Sequence, residues 1–138
     1  MRQIMIIAIV LIGFFACTTQ RGIVKVEASS EHVAAEDSVE YGLETFDAKF
    51  ETWYVMQKSP ARYRSQSYYE NWNRQYVTAW NHKAMTSGNS FFEMIVGYNP
   101  TIDYGFDLNH ELFYYFMYVE NVLKIQIMPG GPRSIVFI

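Results

Sequence analysis

Apolar positions along this chain follow three different patterns. Ile4 to Phe15 is an unbroken run of twelve apolar residues, followed by Ala16, Cys17 and the polar Thr18-Thr19-Gln20. From Val39 the spacing becomes two: Val39, Tyr41 and Leu43 alternate with Glu40, Gly42 and Glu44, which predicts a half-buried strand over 39–45. Helical spacing comes next. Phe50, Trp53, Tyr54 and Gln57 predict a short helix over 48–57 with Asp47 as its cap, ended by Ser59-Pro60. Tyr69, Trp72, Tyr76 and Trp80 predict a long helix from Ser67, with Ser67 and Glu70 as a capping box and Ser87-Gly88-Asn89-Ser90 as its stop. Phe91 to Tyr98 reads as a second strand, over 92–98, bounded by Gly97, Asn99 and Pro100. Leu112, Tyr115, Phe116, Val119 and Leu123 predict a second long helix from about Leu108 to Lys124. Asp107 or Asn109 would cap it, and Lys124 would sit in its last turn. Ile125 to Met128 is a candidate edge strand.

These elements make an α+β domain: two long aromatic-rich helices packed on a small antiparallel sheet of 39–45 and 92–98. Composition supports one core rather than two. Of 138 residues, 50% are apolar and 17% aromatic, which suits a single compact domain. The expected organisation is a signal peptide at 1–16, a flexible tether at 17–38, a globular domain at 39–128, and a Pro/Gly break with an apolar tail at 129–138. The tether carries no aromatic residue, only a small Ile23-Val24-Val26 group, and would let the domain float a few nanometres from a membrane.

The first apolar run has signal-peptide length and falls short of the roughly 20 residues that a spanning helix needs. Arg2 supplies the positive n-region. Ala16 before Cys17 matches the small residue at the end of a bacterial lipobox, although Phe14 stands where that motif usually has Leu. Cys17 is therefore the expected lipid attachment site. It is the only cysteine, so no disulfide can form within the chain. Loss of 1–16 removes Arg2 and moves the formal charge from −3 to −4.

The run Ser65-Gln66-Ser67-Tyr68-Tyr69-Glu70-Asn71-Trp72-Asn73-Arg74-Gln75-Tyr76-Val77-Thr78-Ala79-Trp80-Asn81 is unusually rich in aromatic residues and asparagine. With Ile102-Asp103-Tyr104-Gly105 and Asn109-His110-Glu111-Leu112-Phe113-Tyr114-Tyr115-Phe116, it resembles a family of small uncharacterised lipoproteins of Bacteroidota. The likeness covers roughly Tyr41 to Lys124, and the tail after Lys124 departs from it. The resemblance implies export, a lipid anchor and an envelope address. It brings no activity, ligand or catalytic residue.

Charge is segregated along the chain. Residues 27–51 hold eight acids and one base, 58–83 five bases and one acid, and 93–120 five acids and no base. The blander meaning is mutual neutralisation, with aromatic residues in the core and charges solvated. The sharper one is a binding surface of Arg62, Tyr63, Arg64, Tyr68, Trp72 and Arg74, stacking faces beside forked donors that suit a glycan, a peptidoglycan stem or a lipid headgroup. Nucleic acid is a poor partner for an acidic domain.

Catalytic and metal signals are weak. No histidine pair has metal-ligand spacing, so neither metal nor cofactor is expected. His32 reads as a solvated tether residue, and His82 as a helix-end residue. His110 and Glu111 are adjacent and would point about 100° apart on a helix. Glu70, Asp103 and Asp107 are the carboxylates available to a cell-wall hydrolase, the alternative function. The leading expectation is a non-enzymatic envelope lipoprotein, facing the periplasm from the outer membrane, that binds an envelope protein or glycan.

Overall fold

The computed structural model describes residues 22, 24–29, 40–45, 47–95 and 97–132. The signal peptide, Cys17, His32, Val39 and the last six residues of the tail lie outside them. The observed elements are β1 (Val24–Ser29), β2 (Glu40–Thr45), α1 (Ala48–Gln57), α2 (Gln66–Thr86) and α3 (Gly105–Asn121), with a short 3-10 turn at Pro60–Arg62. The architecture is α+β, as the sequence pattern predicts.

One strand of the sheet is not the expected one. β2 pairs antiparallel with β1, from Val24 opposite Thr45 to Ser29 opposite Glu40. β1 falls within the stretch whose composition reads as a tether. Val24 and Val26 point inward at period two and are both buried, while Glu27 between strand neighbours is exposed. Two valines suffice here because the ladder and the core behind them share the cost of ordering. Among the described residues of 92–98 there is no strand. Phe92 makes only an isolated parallel bridge to Gly22, and Phe91, Phe92 and Ile95 are core side chains of a connecting segment.

Helix boundaries follow local chemistry. Asp47 Oδ1 accepts from the backbone N–H of Lys49 at 2.9 Å and of Phe50 at 3.3 Å, so α1 starts as predicted. α2 starts two residues before the expected box: Ser65, not Ser67, is the cap, and its hydroxyl oxygen accepts from Tyr68 N–H at 3.2 Å. α3 starts three residues early. Asp103 Oδ1 takes the Gly105 N–H at 2.9 Å, whereas Asp107 sits in the first turn and Asn109 is buried inside. It also ends early, at Asn121. Lys124 lies beyond the helix at φ 58°, which lets Ile125 N–H reach Val119 O at 3.0 Å. Ile125 to Met128 forms no strand. The N–H groups of Ile127 and Met128 donate to Glu120 Oε1, and Tyr76 Oη donates to Glu120 Oε2 at 2.8 Å.

α3 is the centre of the molecule. Every residue from Leu112 to Val119 is buried, so the helix is enclosed on all sides. α1 crosses it in the opposite sense: Phe50 meets Tyr118 and Tyr54 meets His110. α2 runs beside it in the same sense, since partners climb together from Gln66–Asp103 through Asn73–Asn109 to Tyr76–Glu120. A parallel pair needs a connection that returns the whole helix length, about 30 Å for 21 residues. Residues 87–104 make that return, pinned by Trp80 Nε1–H donating to Glu93 O, Asn81 Oδ1 accepting Ile95 N–H, and Tyr104 Oη donating to Gly97 O.

Two glycines let backbone enter crowded places. Gly97, at φ 83°, lies against the Val26 carbonyl, where any Cβ would collide. Gly22 donates its N–H to Phe91 O at 2.8 Å and rests on the Trp80 ring; a Cβ there would sit 2.7 Å from Trp80 and 2.9 Å from Phe91. Overpacking of this kind costs about 1–3 kcal/mol. Gly22→Ala should lower stability by about that amount in urea unfolding, with faster amide exchange in β1. Unchanged stability and exchange would show that Gly22 is not seated on Trp80.

Candidate functional site

The six residues of the expected binding surface do not form one free platform. Tyr63 is half-buried, its ring 4.7 Å from His110 and 5.2 Å from Phe106. Tyr68 packs edge-on against Tyr69 and Phe113, and Trp72 lies beside Tyr76. These rings are the outer layer of the core. The arginines are exposed and point to separate neighbours. Arg62 reaches back toward Met56 O at 3.5 Å, and Arg64 stands 6.0 Å from the Tyr68 ring. Arg74 joins Gln75, Thr78, Ala79 and His82 along a shallow groove on the outer side of α2. Only Arg64 and Tyr68 make the cation–aromatic contact that such a surface calls for.

Two of the expected carboxylates do meet. Gln66 Nε2 donates to Glu70 Oε1 and to Asp103 Oδ1, each at 2.7 Å. The amide nitrogen stands between the two oxygens, where an attacked atom would have to lie. The arrangement clamps the first turn of α2 to the turn before α3. Asp107 is exposed one helical turn before Glu111.

The concentrated polar chemistry is deeper, around His110. Its side chain is 2% exposed and is walled by Tyr54, Tyr63, Tyr69, Phe106 and Tyr114, with ring centroids 4.6–5.6 Å away. Nδ1 is 2.7 Å from Tyr54 Oη, and Nε2 is buried with no hydrogen-bond partner. That asymmetry selects the tautomer. If Tyr54 O–H donates to Nδ1, Nε2 carries the proton and turns an N–H toward aromatic rings, a weak but favourable contact. The other tautomer leaves a bare lone pair in the core, costing about 1–3 kcal/mol. Beside it, Asn73 Nδ2 donates to Asn109 O at 2.9 Å and to Asn109 Oδ1 at 3.2 Å, while Asn109 Nδ2 donates to Gly105 O.

Burial, aided by nearby Lys58 and opposed by Asp107, pushes the His110 pKa down to about 4. Burial, reinforced by Glu51 and Asp107 and opposed by Lys58, pushes Glu111 up to about 7. The two belong to separate sites: the imidazole faces Tyr54 inside, and the carboxyl is only half-buried on the α1 side. Sequence spacing could show that His110 and Glu111 diverge. It could not show that the imidazole partners Tyr54, 56 positions away. Among the described residues, no three His, Cys, Asp or Glu side chains group so as to hold a metal ion.

The structure is thus an α+β domain with an enclosed His–Tyr pair and a carboxylate pair that clamps two helices. The chain belongs to DUF6146, a family of unknown function, whose model matches residues 4–129. No curated protein matches it, and no solved structure does.

The two shifted groups act on stability in opposite directions. Unfolded His110 takes up a proton near 6.5 but the folded form only near 4, so its contribution is full above 6.5 and is lost as pH falls to about 4. Glu111 is protonated more readily when folded, so its contribution is full below 4.5 and is lost as pH rises through about 7. Between 4.5 and 6.5 the two slopes offset each other. Glu111→Gln should leave a stability that falls with acid across this window, and His110→Phe one that rises. Urea midpoints at three pH values would reveal either slope; wild-type profiles in both variants would contradict the assignment.

Proposed function

We propose that the chain is a lipid-anchored protein of the bacterial cell envelope whose domain is a non-enzymatic binding or assembly module. The observation carrying this reading is Cys17 placed directly behind a twelve-residue apolar run and Ala16, the order in which a leader is cut and a thiol acylated. One acyl chain holds a protein only marginally, whereas several hold it for good. No described helix is long and apolar enough to cross a membrane, so attachment through the N-terminus is the route this reading uses. Outer-membrane anchorage with the domain in the periplasm fits the lack of an acidic cluster after Cys17, where Thr18-Thr19-Gln20-Arg21-Gly22 follows. The binding role is supported by the burial of His110 and the engagement of Glu70 and Asp103 with Gln66, which leave exposed arginines and groove residues as the contact chemistry. The partner would be an envelope protein or glycan.

Cys17→Ala should move the protein from the membrane to the soluble fraction of fractionated cells. A variant that stays with the membrane would overturn the anchor.

A second reading, a cell-wall hydrolase, draws on the meeting of Glu70 and Asp103 at one amide. Incubation of the protein with purified peptidoglycan should release no soluble fragments. Release that disappears in Asp103→Asn would put the hydrolase reading first.

A further inference from the structure

The position of Gly22 limits how far the domain can stand from its anchor, a deduction that rests on the lipid-anchor reading above. Gly22 is hydrogen-bonded to Phe91 and seated on Trp80, so it moves with the domain. Cys17 lies five residues earlier. Five residues reach about 18 Å when fully extended. The headgroup layer itself takes up about 5–8 Å of each leaflet. A domain tied this way cannot float nanometres away; the end that carries Gly22 is held at the bilayer surface.

That end has the chemistry of a lipid-facing surface. Because α2 and α3 run parallel, both finish here. Three large apolar side chains project from it: Met85 is 67% exposed, Met94 53% and Val122 45%. Lys83, whose ammonium lies 5.5 Å above Phe92 and donates to Gln126 O, and the exposed Lys124 add positive charge. Arg21 precedes Gly22 in the chain. The carboxylates nearby are Glu120, whose oxygens accept from Tyr76 and from two backbone N–H groups, the half-buried Glu93, Asp47 at the start of α1 beside Tyr118, and the exposed Glu44 opposite Lys25 in the ladder next to Gly22, so the charges at this end are mixed. Exposed methionine and valine beside lysine match the boundary between headgroups and acyl chains. The other end of the domain, where α1 finishes beside the start of α3, also exposes Val55, Met56 and Ile102 with Lys58, Arg62 and Arg64, so the short link from Cys17 to Gly22 is what selects the end that faces lipid.

We propose that the α2–α3 C-terminal end docks on the bilayer surface that holds the anchor, with Met85, Met94 and Val122 entering the headgroup layer and Lys124 meeting lipid phosphate. The rest of the domain then faces outward in a fixed orientation, which presents α1 and the α2 groove to partners.

Depth-dependent quenching tests this on the acylated, processed protein in phosphatidylcholine–phosphatidylglycerol vesicles. An environment-sensitive dye is attached through Met85→Cys, Met94→Cys or, on the exposed side of α1, Val55→Cys. All three are surface positions, so the fold should tolerate them. Headgroup spin-labelled lipid should quench the dye at 85 and 94 several-fold more than at 55. Equal quenching at all three positions, or stronger quenching at 55, overturns the docking face. Flotation of the same vesicles reads the anchor separately. Protein that floats without the preference sinks the docking face alone, whereas protein that does not float removes the anchor and the docking face together. Protection of the dye at 85 only at high surface density points to a second copy of the chain and also overturns the proposal.

Discussion

Enclosure of α3 is the constraint on which the structure depends. A helix with eight consecutive buried residues has no face to give to water, so its polar groups must be satisfied by neighbours. α1 supplies Tyr54 to His110, α2 supplies Asn73 to Asn109 and Tyr76 to Glu120, and Glu120 in turn collects the N–H groups of the segment that follows. The aromatic residues follow from the same need. Tyrosine fills a core as phenylalanine does and carries a hydroxyl that can reach a partner, which suits a small domain whose single cysteine allows no internal disulfide.

Much of the helical structure was legible because capping and apolar spacing are local. Asp47, the stop at Ser87-Gly88 and the stripe of Tyr69, Tyr76 and Trp80 all behave as their spacing indicates. Ends were less legible. At α2, Ser65 and Ser67 are both competent caps, and the competition was decided by Gln66, whose bridge to Glu70 and Asp103 needs it inside the first turn. For α3 the pattern underestimates burial, since it predicts a five-residue face whereas all eight residues from Leu112 to Val119 are buried. The second strand was misplaced for a physical reason. Phe91, Phe92 and Ile95 are apolar enough for a strand but serve as core contacts of a crossover, while the sparse Val24 and Val26 pair because β2 and Gly97 lie ready beside them.

The candidate site was readable only in pieces. Tyr63, Tyr68 and Trp72 were visible as aromatic residues near arginines, but whether a ring is a platform or a wall depends on what lies behind it. Here His110, Phe113 and Tyr76 lie behind. The meeting of Glu70 with Asp103 and that of Tyr54 with His110 join distant segments, and no periodicity encodes them.

The seat of Gly22 on Trp80 also has a mechanical meaning. Any pull on the chain ahead of Gly22 enters the fold through one hydrogen bond to Phe91 and a glycine wedged against an indole, then through the first rungs of the β1–β2 ladder. Val24, fully buried in the same cluster as Phe50, Trp80 and Tyr115, is the first core side chain that such a pull reaches, so tension from the anchor side meets the aromatic core after only these few contacts.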